Sequence, residues 1–283
     1  MKTGLILEDG AMRGMFTCGV TDVFQEACVV FDGAAGISAG AAFGCNIKSR
    51  QPGRAIRYNK RYGRDWRYCS LRSLLVTGDL YGADFCYREI PDALDPFDRA
   101  AFRENPMEFW VGATDAATGQ VVYHNCMDGG DGDILWMRAS ASMPLMSRPV
   151  RIGDLTLLDG GIVEAVPLSV MEKQGYDRCV AVLTQPRGYR KQPTKGMPLF
   201  RLGLRRWPEI VQGMAVRHER YNAQMDAIDA LEAAGRLLVI RPAEGLGISR
   251  TESDPEQLER VYQLGRAEAM KRLGEVQQYL ATK

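Results

Sequence analysis

An α/β fold is what this 283-residue sequence predicts, and three observations carry the prediction. Short apolar runs, among them Leu5 to Leu7, Leu155 to Leu158, Cys179 to Leu183 and Leu237 to Ile240, have the length and residue types of buried strands. Segments with apolar residues at helical spacing alternate with them, the first carrying Phe16, Val20, Val23, Phe24 and Ala27. A Gly-x-Ser-x-Gly turn, Gly36-Ile37-Ser38-Ala39-Gly40, joins an apolar run to a stretch of small residues, as where a strand turns sharply into a helix.

Taken in order, Leu5 to Leu7 ends in Glu8-Asp9-Gly10 and is followed by a helix over Met15 to Cys28. Cys28 to Phe31 is β-branched and apolar and reads as the next strand, leading through Gly33 and Gly36 to Ser38; Ala39 to Ile47 then reads as a tightly packed helix. Residues 52–103 mix aromatic, basic and acidic side chains without strand alternation and read as helices and loops beside the site, a candidate cap. Met107 to Thr114 and Gln120 to Asn125 form a hairpin-like strand pair around the turn-rich Asp115-Ala116-Ala117-Thr118-Gly119. Asp133 to Met143 suits a helix stopped near Pro144, and Leu155 to Leu158 is a strand ending in Asp159-Gly160-Gly161. Asn222 to Ala234 is helical, Leu237 to Ile240 a strand, and Pro255 to Leu280 a charged amphipathic helix. A strand returning this late completes the sheet, so the expectation is a single domain over 1–283, with a core at about 4–185 and an extension at about 186–283 packed on it.

With 46% hydrophobic and 25% charged residues, the composition excludes wholesale disorder and fibrous architecture. A formal charge of +1 gives no general affinity for nucleic acid. Seven cysteines without a CxxC pair are poor evidence for a zinc site or a disulfide framework, and no apolar run has the length expected of a signal peptide or a membrane span. The expectation is a reduced, cytoplasmic protein that meets a membrane only from its surface. From Arg187 to Tyr221 there are nine lysines or arginines against two glutamates. Here Phe200, Leu202, Leu204, Trp207 and Ile210 alternate with Arg201, Arg205 and Arg206. Two readings stand: peripheral contact with an anionic membrane through about 187–220, or a solvated segment between helices.

The Gly-x-Ser-x-Gly turn points to acyl transfer by a serine nucleophile, Ser38, on a strained turn that Gly36, Ala39 and Gly40 keep free of bulk. The chain offers two histidines as a base. A triad of Ser38, Asp159 and His218 has the chain order of an α/β-hydrolase, but His218 lies in Val216-Arg217-His218-Glu219-Arg220, which reads as a solvated helical face, and His124 reads as a structural residue closing a strand. A carboxylate then takes the proton. Asp128-Gly129-Gly130 sits in an acidic, glycine-rich loop whose spacing is not that of an EF-hand, whereas Asp159 follows an apolar run that places it at a strand end, where α/β sheets collect their sites. Burial there raises the carboxyl pKa and makes a better base. Asp9-Gly10-Ala11-Met12-Arg13-Gly14, entering the first helix, can present backbone N–H groups to an oxyanion. Neither Gly-x-Gly-x-x-Gly nor Gly-Lys-Ser/Thr occurs there, which removes the nucleotide reading.

Five blocks, Glu8 to Gly14, Gly36 to Gly40, Ala113 to Gly119, Ala139-Ser140-Ala141-Ser142-Met143-Pro144 and Asp159-Gly160-Gly161, resemble in order the signature blocks of patatin-like phospholipases. The resemblance covers roughly residues 4 to 185, and the tail is similar to the bacterial subgroup. It implies a three-layer α/β/α sandwich with a mostly parallel sheet and a helical C-terminal extension. It also implies a Ser38–Asp159 dyad, an oxyanion hole at Gly10 and Ala11 with Ala39, and motif positions Arg13, Gly14, Gly36, Gly40, Gly160 and Gly161. The implied substrate is an acyl lipid or other ester, with no metal or organic cofactor. The family's oxyanion loop is usually three glycines before x-Arg-Gly, and here Asp9, Gly10 and Ala11 stand in their place. An inward carboxylate opposes an oxyanion, so the expectation is that Asp9 turns outward or pairs with Arg13; the expected activity is that of a serine lipid acyl hydrolase, with a lipid-binding or regulatory protein of little turnover, or an acyltransferase using the same acyl-enzyme, as the alternatives.

Overall fold

The computed structural model describes residues 1–281 as an eight-stranded mixed sheet with helices on both faces. At its centre β1 (Thr3–Leu7) pairs with β2 (Gly33–Ile37) on one side and β7 (Arg178–Val182) on the other. β3 (Glu108–Asp115) and β8 (Leu237–Ile240) extend the sheet outward, and these five strands run parallel to one another. β4 (Val121–Asn125) and β6 (Leu155–Asp159) run antiparallel to β3, and the short β5 (Val150–Ile152) runs antiparallel to β6.

The parallel strands are buried on both faces, which is why they read as continuous apolar runs. Leu5 and Leu7 of β1, Val180 and Val182 of β7, and Leu238 and Ile240 of β8 point into one core. Ile6, Ala181 and Val239 point into the other. Helices α1 (Gly14–Glu26), α2 (Ala39–Lys48) and α10 (Pro255–Ala281) cover the first face; α7 (Leu168–Lys173) and α9 (Pro208–Ala233) cover the second. Residues 52–103 form α3 (Arg54–Tyr62), α4 (Leu71–Thr77), a π-helical stretch Phe85–Leu94 with Pro91 inside, and α5 (Arg99–Glu104). The remaining helices are α6 (Asp131–Ser140) and α8 (Met197–Gly203).

One predicted strand is displaced. Cys28 to Phe31 does not pair; α1 ends there, with Cys28 in the left-handed region at φ 54° and the Val29 N–H donating to Phe24 O. Val30 is 79% exposed, so this β-branched run belongs to a helix-ending turn. The strand is Gly33-Ala34-Ala35-Gly36-Ile37, built of small residues because α2 packs backbone to backbone at its end. A Cβ on Gly36 would lie 2.3 Å from Gly40 O, and one on Gly40 2.3 Å from Leu7 O. The helix read from Asn222 begins earlier, at Pro208, and β5, α7 and α8 had no counterpart in the sequence reading.

The C-terminal extension is built into the core. α10 crosses α1 with glycine on each side: a Cβ on Gly265 would fall 2.0 Å from Phe16 O, and one on Gly19 2.1 Å from Tyr262 O. Tyr262 donates its hydroxyl to the buried Asp22 at 2.7 Å.

Candidate active site

The register of β3 sets the site. Residues 110–112 pair with both β2 and β4, and residues 113 and 114 pair with both β6 and β4, so β2 and β6 occupy the same edge of β3 from opposite directions. β2 leaves that edge at Ile37, opposite Gly112; β6 leaves it at Asp159, opposite Ala113. Ser38 and Asp159 are therefore delivered to one point, and the Ser38 hydroxyl donates to Asp159 Oδ2 at 2.8 Å.

Ser38 holds φ 54° and ψ −115°, a conformation disfavoured for a residue with a side chain, and its N–H donates to Ser140 Oγ at 2.8 Å. Ser140 in turn donates to Gly112 O at 2.6 Å. The sequence blocks at Ala113 and Ala139 thus act as a frame: the Asp159 N–H donates to Ser142 O at 2.8 Å and Thr114 Oγ1 to Asp159 O at 2.9 Å. Gly161 N–H donates to Asp159 Oδ1 at 2.7 Å, leaving Oδ2 for Ser38. Burial, reinforced by the nearby Asp9 carboxylate, pushes the Asp159 carboxyl up to about 6, against the opposing pull of Arg217, the Ser38 hydroxyl and the Gly161 N–H. A hydroxyl so held can pass its proton to the carboxylate as its oxygen attacks an electrophile.

Gly10 and Ala11 enter a single 3-10 turn, Ala11–Arg13, beside the serine; Gly14 opens α1 against Ala39 and Phe43. Ala11 has φ 45°, an uncommon left-handed alanine, and its N–H, with those of Gly10 and Ala39, donates to no acceptor among the described residues. Unpaired N–H groups are the kind of donor that an oxyanion needs. Arg13 Nε reaches Thr184 Oγ1 at 3.4 Å.

Asp9 neither turns outward nor pairs with Arg13. It is buried, and its Oδ2 accepts from Arg217 Nη2 at 2.6 Å. Although burial alone raises it, Lys191, Arg217, Arg13 and Arg250 hold its carboxyl below the ordinary aspartate value. The segment around Arg217 is accordingly not a solvated face: Arg217 is 17% exposed on its side chain, His218 20%. The overlooked signal is positional. Ile210, Met214, Tyr221, Met225 and Ile228 make the buried stripe of α9, and Arg217 stands within it where the spacing calls for an apolar residue. Glu8 is tied beside it, accepting from Tyr221 Oη at 2.7 Å and Thr184 Oγ1 at 3.0 Å.

Neither histidine reaches Ser38. His124 Nε2 pairs with Asp133 Oδ1 at 2.8 Å and its ring stacks on Trp136. His124, Cys126 and Asp133 bring donor atoms within 4.8 Å of one another. Yet Asp133 Oδ2 already accepts from Asp128 and Gly129 N–H, and the Lys48 ammonium bonds Cys126 O, so the cluster is satisfied and has a cation beside it. Asp128 itself is exposed, as an acidic loop residue should be.

Ser38 opens into a cavity of about 120 Å³ with mostly apolar walls that include Met12, Phe43, Ile134 and Met137. Residues 52–103 form its outer wall through Tyr58, Tyr68, Tyr81, Tyr87, Ile90 and Phe97.

Comparison with known proteins finds similarity along most of the chain. Residues 5–171 match the profile described as Patatin-like phospholipase, and residues 207–281 a domain of unknown function, DUF6363. The chain is 25% identical over 264 residues to a protein named Lysophospholipase NTE1 of Scheffersomyces stipitis, covering 84% of this chain and 16% of that one. It is 29% identical over 195 residues to the uncharacterized protein YjjU of Escherichia coli, covering 65% and 52%. This chain thus spans well under two thirds of either relative. Among solved structures, VipD from Legionella pneumophila is similar over 97% of this chain and 67% of that one, with a TM-score of 0.48 and 14% identity.

Proposed function

The chain belongs to the patatin-like phospholipase family, and from that premise we propose that it is a serine hydrolase of acyl lipid esters working through a Ser38–Asp159 dyad. The observation that carries the proposal is the 2.8 Å contact of Ser38 Oγ with a buried carboxylate at the head of an apolar cavity. In this reading Ser38 Oγ attacks the ester carbonyl while Asp159 accepts its proton. The N–H groups of Gly10, Ala11 and Ala39 hold the oxyanion, each donor worth about 10²- to 10³-fold in rate. The alcohol leaves with the proton from Asp159; water, deprotonated by the same carboxylate, then attacks the acyl-enzyme, and the bond to Ser38 Oγ breaks as Asp159 returns the proton to it, freeing the acid. The chemistry calls on no metal or organic cofactor.

The apolar cavity favours the acyl chain of a lipid as the buried part of the substrate, in line with the lysophospholipase name of the NTE1 relative. The pairing of Asp9 with Arg217 favours turnover over a lipid-binding protein without chemistry, because it compensates the charge of a carboxylate that would otherwise oppose an oxyanion. We further propose that α8 makes peripheral membrane contact. It exposes Leu199 and Leu202 beside Arg201, with Arg205 and Arg206 in the turn that follows it, and its Gly203 packs on Leu145, two residues from Ser147 in the cavity wall. No helix among the described residues is long and apolar enough to cross a membrane. The tight α1–α10 crossing supports treating core and extension as one domain.

A fluorophosphonate ester, which reacts only with an activated serine, tests the proposal. It should label the wild type and Ser142→Ala but not Ser38→Ala. Labelling that persists in Ser38→Ala would overturn the assignment.

A further inference from the structure

We infer that Arg217 is a positioning residue of the site: by binding Asp9 and the Gly161 carbonyl together, it keeps the Asp159 base in working order in a chain whose glycine loop carries a carboxylate. The inference rests on the hydrolase reading above. It assigns a site role to a residue outside the matched segment 5–171, on a helix of the C-terminal extension.

The geometry is that of a fork spanning two loops. Arg217 Nη2 donates to Asp9 Oδ2 at 2.6 Å, and Arg217 Nε donates to Gly161 O at 2.6 Å. Asp9 leads into the loop of free N–H donors; Gly161 is the residue whose N–H orients Asp159 Oδ1. The two loops also touch directly. A Cβ on Gly161 would lie 2.3 Å from Asp9 Oδ2 and 3.0 Å from Asp159 Oδ1, so only glycine lets the three groups meet. α9 reaches them because Gly213, one turn before Arg217, packs on Ile162, where a Cβ would fall 2.9 Å from its Cγ2.

Two buried carboxylates, Asp9 and Asp159, therefore stand on either side of one glycine. Like charges in a low-dielectric site repel strongly, and the unpaired arrangement would favour protonation of the base. Other charged groups face Asp9: Lys191, Arg13 and Arg250 are near it, and Glu8 precedes it. Tyr87 stands near Asp159. Among the described residues only Arg217 donates to the Asp9 carboxylate. Arg13 is turned to Thr184, Lys191 lies over the Tyr221 ring at 4.0 Å, and Arg250 makes no ion pair there. Guanidinium, planar and forked, is the side chain that can serve a carboxylate and a carbonyl at once.

The test follows the Asp159 carboxyl by ¹³C NMR against pH, together with the acid limb of kcat/KM on a soluble ester, in wild type, Arg217→Gln, Asp9→Gly and the double variant. Arg217→Gln should move both midpoints upward by about one pH unit, a tenfold loss of ionised base on the acid side. Asp9→Gly should move them downward. Adding Asp9→Gly to Arg217→Gln should return kcat/KM to within about threefold of wild type, a rescue that loss of a merely structural contact cannot give. Should Arg217→Gln fail to fold, Arg217→Lys, which keeps the charge without the fork, should lose kcat with KM unchanged, and the double variant, lacking both buried charges, should fold. Unmoved midpoints in Arg217→Gln, or a double variant no better than the single one, would overturn the inference. If wild-type hydrolysis survives in Ser38→Ala, the hydrolase reading fails while the carboxyl titration still decides the role of Arg217.

Discussion

Ser38 Oγ lies 2.8 Å from Asp159 Oδ2 because β2 and β6 approach each other end to end along one edge of β3. A parallel strand delivers one residue and an antiparallel strand the other. The junction between Gly112 and Ala113 is the point at which the sheet changes from one pairing to the other.

The first consequence concerns pH. A base that titrates at about 6 limits the rate below that pH, so kcat/KM on a soluble ester should rise with an apparent pKa near 6 and level off above it. A histidine base would give a similar curve. The distinction is that the limb should persist in His124→Gln and His218→Gln, since neither ring contacts Ser38. A limb that vanishes in His218→Gln would restore the triad reading.

Asp159→Asn should separate stability from activity. The folded-state pKa lies above the ordinary aspartate value, so the native chain holds this proton more tightly than the unfolded one. Stability from this group is full below about pH 4 and is lost as pH rises to about 6. Replacing the carboxylate should therefore stabilise the protein at pH 7 by up to about 3 kcal/mol, with the gain disappearing near pH 4. Hydrolysis should fall about 10²- to 10⁴-fold. Thermal melts at both pH values check this, and a melting temperature lowered at pH 7 would contradict it.

Gly265→Ala should unsettle the fold without touching the chemistry. Its methyl group would meet Phe16 O, a backbone atom that cannot turn aside, and overpacking of this kind costs about 1–3 kcal/mol. The expected result is a lower midpoint in urea with unchanged kcat per folded molecule. An unchanged midpoint would show that α10 packs more loosely on α1 than its glycines imply.

Membrane contact predicts a substrate-dependent defect. Leu199→Ser combined with Leu202→Ser should weaken binding to vesicles containing phosphatidylserine while leaving hydrolysis of a soluble short-chain ester unchanged, because neither side chain lines the cavity. Equal vesicle binding by wild type and variant, measured by co-sedimentation, would return this helix to an ordinary solvated surface.

The sequence was legible where local chemistry and tertiary need agree. The Gly-x-Ser-x-Gly turn could be read because both glycines answer to backbone contacts that no other residue tolerates, and the apolar runs of β1, β7 and β8 because they are buried on both faces. Cys28 to Phe31 misled for the converse reason: its β-branched residues end a helix, while the true strand is made of glycine and alanine, whose small size answers close packing rather than strand preference. Arg217 was hidden differently. Its partner Asp9 is 208 positions away, and a lone arginine in a basic stretch looks like surface until the rest of its helical stripe is seen to be buried. Ser140 belonged to a recognised block, but its grip on the Ser38 N–H comes only from the fold.

The Ser38–Asp159 dyad is tested most directly by the hydrolysis of acyl esters across a range of chain lengths by wild type, Ser38→Ala and Asp159→Asn. Wild type should turn over acyl esters long enough to fill the cavity, and both variants should lose at least about 10² of that rate. Removing both residues should cost little more than removing Ser38 alone, since the two act as one unit. Equal rates in all three proteins would contradict the account.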